Sequence, residues 1–323
     1  MDTGTPTHTP GPRDAVASAP RSTSKSMLNR PGLRRMLALW PALITIGIFM
    51  ILPMVILLVF SFLEADPYGG VEPVFSTEAY VQTLYEIDFD DTLTFNPAYL
   101  NILGRSVALA VLATIGCIVL GLPVAYFVSR QSPRNQNLLL FMITLPFWTN
   151  LLIRTYAWIL ILSKDGVLEQ PLLALGIISE SLEMMYTNGA IAVGLIYTYL
   201  PLMVLPIYAS LEKLDFRLIE AAHDLYASRL QVMRQVVLPL ATPGIIAGCI
   251  LVFVPSLGAF IAPDLLGGGK KLMLGSLIQL QFASSRNWPF GSAIAICLLA
   301  LVMIALMIQA RAVAKRNAME QAA

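Results

Sequence analysis

Few side chains in this 323-residue sequence have the type and spacing that catalysis needs. The two histidines, His8 and His223, each stand alone, without the second histidine or spaced glutamate of a zinc site. Cys117, Cys249 and Cys297 lie inside apolar runs with no paired spacing, so they read as small core residues and not as a metal site or disulfide framework. Gly267-Gly268-Gly269-Lys270-Lys271 comes nearest to a phosphate-binding loop. It lacks the Ser or Thr magnesium ligand and the strand-to-helix setting of that motif, and it reads as an outward-facing turn. No Ser/His/Asp, Cys/His or metal constellation is legible, which argues against an enzyme. The ion most out of place is Arg154, about two-thirds through an apolar run. An unpaired charge costs at least about 2.5–3.5 kcal/mol at the centre of a membrane helix, so Arg154 either snorkels outward or pairs with an acid of a neighbouring helix.

Apolar residues make up 57% of the chain and charged residues 13%, against about a quarter charged in water-soluble domains. The chain is therefore a membrane protein. Lys and Arg number 21 against 20 Asp and Glu, so no charge excess points to nucleic acid as a partner. A helix crosses the hydrocarbon core in roughly 20 apolar residues, and six stretches qualify: 36–63, 103–128, 138–162, 190–211, 244–266 and 291–313. Pro41, Pro53, Pro123, Pro146, Pro201, Pro206 and Pro255 lie within them, so kinked, bundled membrane helices are expected. The first 35 residues read as a disordered cytoplasmic tail, residues 36–313 as a six-helix transmembrane domain, and residues 314–323 as a cytoplasmic end.

Orientation follows from the basic residues. Arg13, Arg21, Lys25, Arg30, Arg34 and Arg35 place the N-terminal tail in the cytoplasm. Residues 64–102 carry Glu64, Asp66, Glu72, Glu78, Glu86, Asp88, Asp90 and Asp91 with no base, and so face outward. Arg130 and Arg134 mark an inside turn, and Lys213, Arg217, Arg229 and Arg234 another. Lys270, Lys271 and Arg286, between the fifth and sixth spans, fit the rule poorly, and Arg311, Lys315 and Arg316 restore it. Both termini are expected in the cytoplasm. Arg105 anchors the start of the second span.

Residues 215–239 are polar enough to leave the bilayer and are patterned as two short helices. Asp215 suits the N-cap of the first, which runs to about Leu225. Ser228 and Gln231 form a capping-box pattern for the second, which Pro239 and Pro243 should close before the fifth span. Ala221, Ala222, Leu225, Leu230 and Met233 would then face a partner's groove, or alternatively the lipid surface.

The run Glu220-Ala221-Ala222, continuing to Val237-Leu238-Pro239, is similar to the EAA motif of ABC-importer permeases. In that family the motif forms coupling helices that dock on the ATPase. One position departs, since Tyr226 stands where the family has glycine, and a tyrosine enters a left-handed turn at greater cost. The resemblance extends over roughly residues 35–309, to the spermidine/putrescine permease subfamily. It is carried by Pro146-Phe147-Trp148-Thr149-Asn150, Arg154-Thr155-Tyr156-Ala157-Trp158, Tyr199 to Pro206, Asp264-Leu265-Leu266-Gly267-Gly268 and Asn287-Trp288-Pro289-Phe290-Gly291.

That resemblance implies an all-α, six-span, type I (MetI-like) importer permease fold with cytoplasmic coupling helices, in a bacterial inner membrane. It implies as partners a second homologous permease, two ABC ATPase subunits and a periplasmic substrate-binding protein, besides membrane lipid. No cofactor is expected in this chain; ATP and Mg belong to the ATPases. Glu220, Ala221, Ala222, Leu225, Tyr226, Leu238 and Pro239 are the expected ATPase-coupling residues.

If the substrate is a polyamine, its path needs carboxylates for ammonium groups and aromatic faces for charge and methylenes. Asp264, Tyr156 and Trp158 are the first candidates, and Tyr197, Tyr199, Asp165 and Glu169 follow. Each aromatic also suits an interfacial anchor, and Asp264 a solvated helix end. Arg154 is the candidate gate or ion-pair residue. Permeases of the same broad group serve iron, thiamine or phosphonate. An ion-coupled secondary transporter would need more intramembrane carboxylates and a pair of inverted repeats.

Overall fold

The structure is a computed structural model that describes residues 31–87, 93–164, 166–175, 183–213, 215 and 217–322. The tail expected over residues 1–35 lies largely outside them; residues 31–35 already belong to the first helix. Residues up to Met54 form one compact unit and residues from Val55 a second. The described part of the first unit is helical, the N-terminal portion of α1 (Pro31–Phe60), with Pro41 and Pro53 inside the helix.

Two antiparallel hairpins follow, a feature the all-helical expectation lacked. In the first, β1 (Leu63–Ala65) pairs with β2 (Val71–Phe75), opposing Glu64 to Glu72. Then come α2 (Glu78–Val81), β3 (Tyr85–Ile87) and β4 (Leu93–Phe95), the two strands again forming a hairpin. Gly69 (φ +99°) makes the first turn, and Arg286 packs over it: a Cβ there would stand 2.8 Å from the Arg286 Cβ. Such φ values are open to glycine and strained for other residues.

The helical body continues as α3 (Ala98–Ser129), α4 (Pro133–Trp148), α5 (Leu151–Leu162), α6 (Glu169–Ala174), α7 (Asn188–Leu211), α8 (Arg217–Asp224) and α9 (Arg229–Val232). After a π-helical turn (Met233–Val237) come α10 (Leu238–Leu257), α11 (Ile261–Gly267), α12 (Leu274–Ala283) and α13 (Trp288–Ala322). Among the described residues five helices are long and apolar enough to cross a membrane, or six when the bent pair α4 and α5 counts as one span.

The core is the packing of α3, α7 and α10 on one another. Cys117 and Ala125 of α3, Met203 and Ile207 of α7, and Ala241 and Val252 of α10 meet in one buried cluster. Glycine lets α10 approach α7: a Cβ on Gly248 would stand 2.6 Å from the Met203 Sδ, and one on Gly244 2.8 Å from the Ile207 Cα. Small residues serve this purpose in membrane bundles, where close van der Waals packing replaces the hydrophobic effect as the force between helices. Ser106 of α3 accepts a hydrogen bond from the Leu274 N–H at 2.8 Å, and Arg105 donates to the Leu272 carbonyl at 3.3 Å, stitching the start of α12 to α3.

Three expected boundaries move. The third span, read as one run over 138–162, breaks at Thr149-Asn150 with a 92° bend between α4 and α5. Thr149 is extended (ψ 151°), and the Asn150 side chain caps α5 by accepting from the Leu152 N–H at 2.8 Å. The fifth span ends at Leu257, and residues 261–267 form the separate α11. Pro239 and Pro243 do not close α9. The π turn widens the helix by one residue, so that the Leu238 N–H reaches the Met233 carbonyl, and the prolines continue into α10. A π bulge re-registers the hydrogen-bond ladder, which is how a helix can accept a residue that lacks an N–H.

Candidate coupling surface and path residues

Residues 215–239 fold as a capped helix pair. The Asp215 carboxylate accepts from the Arg217 N–H at 3.0 Å and starts α8. At its end the Ala227 N–H bonds to the Ala222 carbonyl and the Tyr226 N–H to the His223 carbonyl, a Schellman closure with Tyr226 in the left-handed position (φ +55°). The tyrosine therefore adopts the turn that glycine would make more easily. Ser228 and Gln231 then close the capping box in both directions: the Ser228 N–H donates to the Gln231 side chain at 2.7 Å, and the Ser228 hydroxyl accepts from the Gln231 N–H at 3.4 Å.

Ile219, Val232 and Val237 are buried in the α3/α7/α10 core, so the pair is seated on the bundle and does not float beside it. Ala222 and Met233, expected to face a partner, pack partly against that same core. What remains outside is a cap of Leu225 (82% exposed), Tyr226 (98%) and Leu230 (77%). Glu220 and Ala221 are exposed on α8, and Leu238 and Pro239 are exposed where the helix turns into α10. Three large apolar side chains are thus presented together at one turn.

The other candidates spread over the broken helices. Trp158 of α5 packs edge-on against Tyr197 of α7, with ring centroids 5.5 Å apart. Tyr199, two residues on, turns the other way and donates its hydroxyl to the Pro255 carbonyl at 3.3 Å. It also lines a cavity of about 130 Å³ with Leu151, Thr198, Pro255, Gly258 and Phe260, between the two helix breaks. Tyr156 is exposed on the opposite side of α5 from Trp158, so these two do not form one lining. Asp264 is exposed in the first turn of α11, which ends on left-handed Gly268. Glu169 is fully buried at the start of α6, and Asp165 lies outside the described residues. Arg154 is buried in α5, 9% exposed, with Nε and Nη1 lacking any hydrogen-bond partner.

Sequence reasoning missed the two breaks that frame the cavity. The polar pair Thr149-Asn150 inside an apolar run was the available signal for the first, and Gly258 with Pro263 for the second. Among the described residues no group of three His, Cys, Asp or Glu could hold a metal ion.

The described residues form a polytopic helical body with a capped helix pair between two of its apolar spans, the architecture of a multi-pass membrane protein. Residues 117–318 match the binding-protein-dependent transport system inner membrane component family, and the chain belongs to that family. The chain is 42% identical over 265 residues to the spermidine/putrescine transport system permease protein PotB of Escherichia coli K12, covering 82% of this chain and 92% of the relative. It is 41% identical over 264 residues to the PotB protein of Haemophilus influenzae, covering 82% and 88%. Among solved structures it resembles a chain of a bacterial ABC transporter involved in the import of alginate, with TM-score 0.63, 16% identity, and 88% of this chain and 97% of that one covered. The fold is the expected importer-permease fold, and the protein is a multi-pass inner-membrane transport component.

Proposed function

We propose that this chain is one permease subunit of a polyamine importer, forming half of the pathway for spermidine or putrescine with a second homologous permease. In this reading a periplasmic binding protein delivers substrate, two ABC ATPases bind ATP and Mg, and both termini lie in the cytoplasm. The 42% identity to PotB supports the substrate class.

The observation that carries the mechanism is the continuity of the coupling segment with the bundle. From Arg229 the helix runs through the π turn to Leu257 as one 29-residue element, so displacement of the exposed cap moves α10 directly. The packing of α10 against α7 and α3 passes that motion to the core. Glu220, Ala221, Ala222, Leu225, Tyr226, Leu238 and Pro239 act in ATPase coupling. Asp264, Tyr156, Trp158, Tyr197, Tyr199, Asp165 and Glu169 serve the cation's path, and the helix breaks next to Tyr199 provide the bend points for opening. The packing of α5 on α7 and α11 joins those breaks.

Glu220→Arg should abolish polyamine uptake and loosen ATPase association, while membrane insertion stays intact; normal uptake in that variant would sink the coupling role. For the substrate, ATPase activity of the reconstituted complex should rise when the binding protein carries spermidine or putrescine and not when it is empty. If no polyamine stimulates the complex, the substrate class is wrong even though the permease role stands.

A further inference from the structure

Three bases between the fifth and sixth spans, Lys270, Lys271 and Arg286, stand against the rule that keeps Lys and Arg on the cytoplasmic side. Arg286 has a structural use. Its side chain packs over Gly69 in the turn of the first hairpin, and its carbonyl accepts from the Gly70 N–H at 3.1 Å. Lys271 is half-buried, its Cβ 3.2 Å from where a Cβ on Gly267 would stand. Lys270 is exposed.

The turn that carries Lys270 lies at the hairpin end of the molecule. Arg105 and Ser106, in the first part of the helix that follows β4, bond to Leu272 and Leu274 just beyond the lysines. The α8/α9 tip is at the other end of the 29-residue element that leads to Leu257, roughly 40 Å away along the helix. The turn is also fixed. Gly268 (φ +61°) and Gly269 (φ +69°) are left-handed, which glycine accepts without strain. The Tyr186 ring lies so close to Gly268 that a Cβ there would collide with it, and the Tyr186 N–H donates to the Leu266 carbonyl at 2.9 Å. The Gly269 N–H donates to the Asp264 carbonyl at 3.2 Å, and the Lys270 N–H to the Gly267 carbonyl at 3.3 Å. A backbone held in this way presents its exposed ammonium at a set position.

A lysine side chain is a primary ammonium on a four-carbon stem. Putrescine is two ammonium groups joined by four carbons, and spermidine contains the same unit. A protein that carries either must hold the ammonium groups with carboxylates, and must let go of them once docked. We infer that Lys270 is a substrate mimic: on the docked periplasmic binding protein its ammonium takes over a carboxylate that held one end of the polyamine, and so drives release. The exposed Asp264, whose backbone anchors the turn, stands beside it as a first acceptor for the freed cation. This inference rests on the polyamine reading and on the topology proposed above. Competition for one carboxylate is reciprocal, so excess polyamine must weaken docking by the same factor.

The test uses the complete complex, trapped with a non-hydrolysable ATP analogue and given binding protein loaded with labelled spermidine. Lys270→Met keeps the length of the stem and drops the charge. The docked binding protein should then hold spermidine about 10-fold more tightly than in the wild-type complex, a coupling of ordinary size. Lys270→Arg keeps the charge and should restore most of the release. Excess spermidine should weaken docking to the wild-type complex more than to the Lys270→Met complex. Wild-type spermidine affinity in the docked Lys270→Met complex overturns the inference, whether or not docking weakens or bound anionic phospholipid is lost, because the lysine would then be an ordinary contact to protein or lipid. If the binding protein holds neither spermidine nor putrescine, the polyamine reading falls and takes this inference with it. A Lys270→Cys variant that a membrane-impermeant maleimide reaches only from the cytoplasmic side would bring down the topology instead, and the mimic with it.

Discussion

The turn between α8 and α9 and the break between α4 and α5 both redirect the chain sharply, and both rest on a polar cap at the start of the next helix. At the first, Ser228 and Gln231 satisfy each other's backbone, a Schellman closure ends the preceding helix, and the apolar cap faces outward. At the second, Asn150 alone caps α5, and four residues later Arg154 is buried without a partner for two of its nitrogens. The tip between α8 and α9 is closed by its own hydrogen bonds. The break, among the described residues, leaves two buried nitrogens of α5 unpaired. Under the proposed function, a surface that transmits force has to be stiff before a partner arrives, whereas a helix beside the path has to rearrange, and the two regions differ in that sense.

The largest effect should come from the tip's surface. Replacing both Leu225 and Leu230 with Asp should eliminate uptake and ATPase recovery, while thermal stability of the chain changes by no more than about 0.5 kcal/mol, as for exposed substitutions generally. Co-purification and a melting curve on the same preparation check this. A large fall in stability would mean that the cap is part of the fold, and the contrast between the two regions would break.

The two caps sharpen the comparison at smaller scale. Ser228→Ala should cost about 0.5–1 kcal/mol, since water can reach the Gln231 N–H once the hydroxyl is gone. Asn150→Ala should cost nearer 2 kcal/mol, because the freed Leu152 N–H lies in an apolar run where no water replaces the side chain. Equal costs in detergent-solubilised chain and in lipid bilayer would show that the break is hydrated, and would move it out of the hydrocarbon region.

What the sequence made legible follows the same division. Caps are local chemistry over three or four residues, so Asp215, Ser228 and Gln231 announced α8 and α9 directly. Apolar content announced the spans for the same reason, since the bilayer reads composition. The break at Thr149-Asn150 was hidden because residues 138–162 form one apolar run of spanning length, and the 92° bend comes from how α5 packs on α7 and α11. The prolines misled in the opposite direction. Pro239 and Pro243 looked like stops, but the π turn absorbs the missing donor, and nothing in the composition of Met233–Val237 marks that bulge. Glu169 followed an apolar run like an exposed loop acid, and only tertiary packing encloses it. Tyr156 and Trp158 are close in sequence, but two residues apart on a helix they point to different sides.

The smallest predicted effect bears on Tyr226. A tyrosine in the left-handed region costs roughly 1–2 kcal/mol relative to its normal conformations, and glycine avoids the Cβ clash but has more unfolded-state freedom to lose. Since Tyr226 is 98% exposed, Tyr226→Gly should leave the isolated chain as stable or more stable by up to about 1 kcal/mol. A residue that strains its own turn without stabilising the fold is explained if the ring is used at the contact surface, so the same variant should lower ATPase recovery and uptake. Gain of stability with unchanged uptake would leave the tyrosine with no role at the tip. Loss of stability would place the ring against a neighbour within the chain, and the tip would then be no more self-contained than the break.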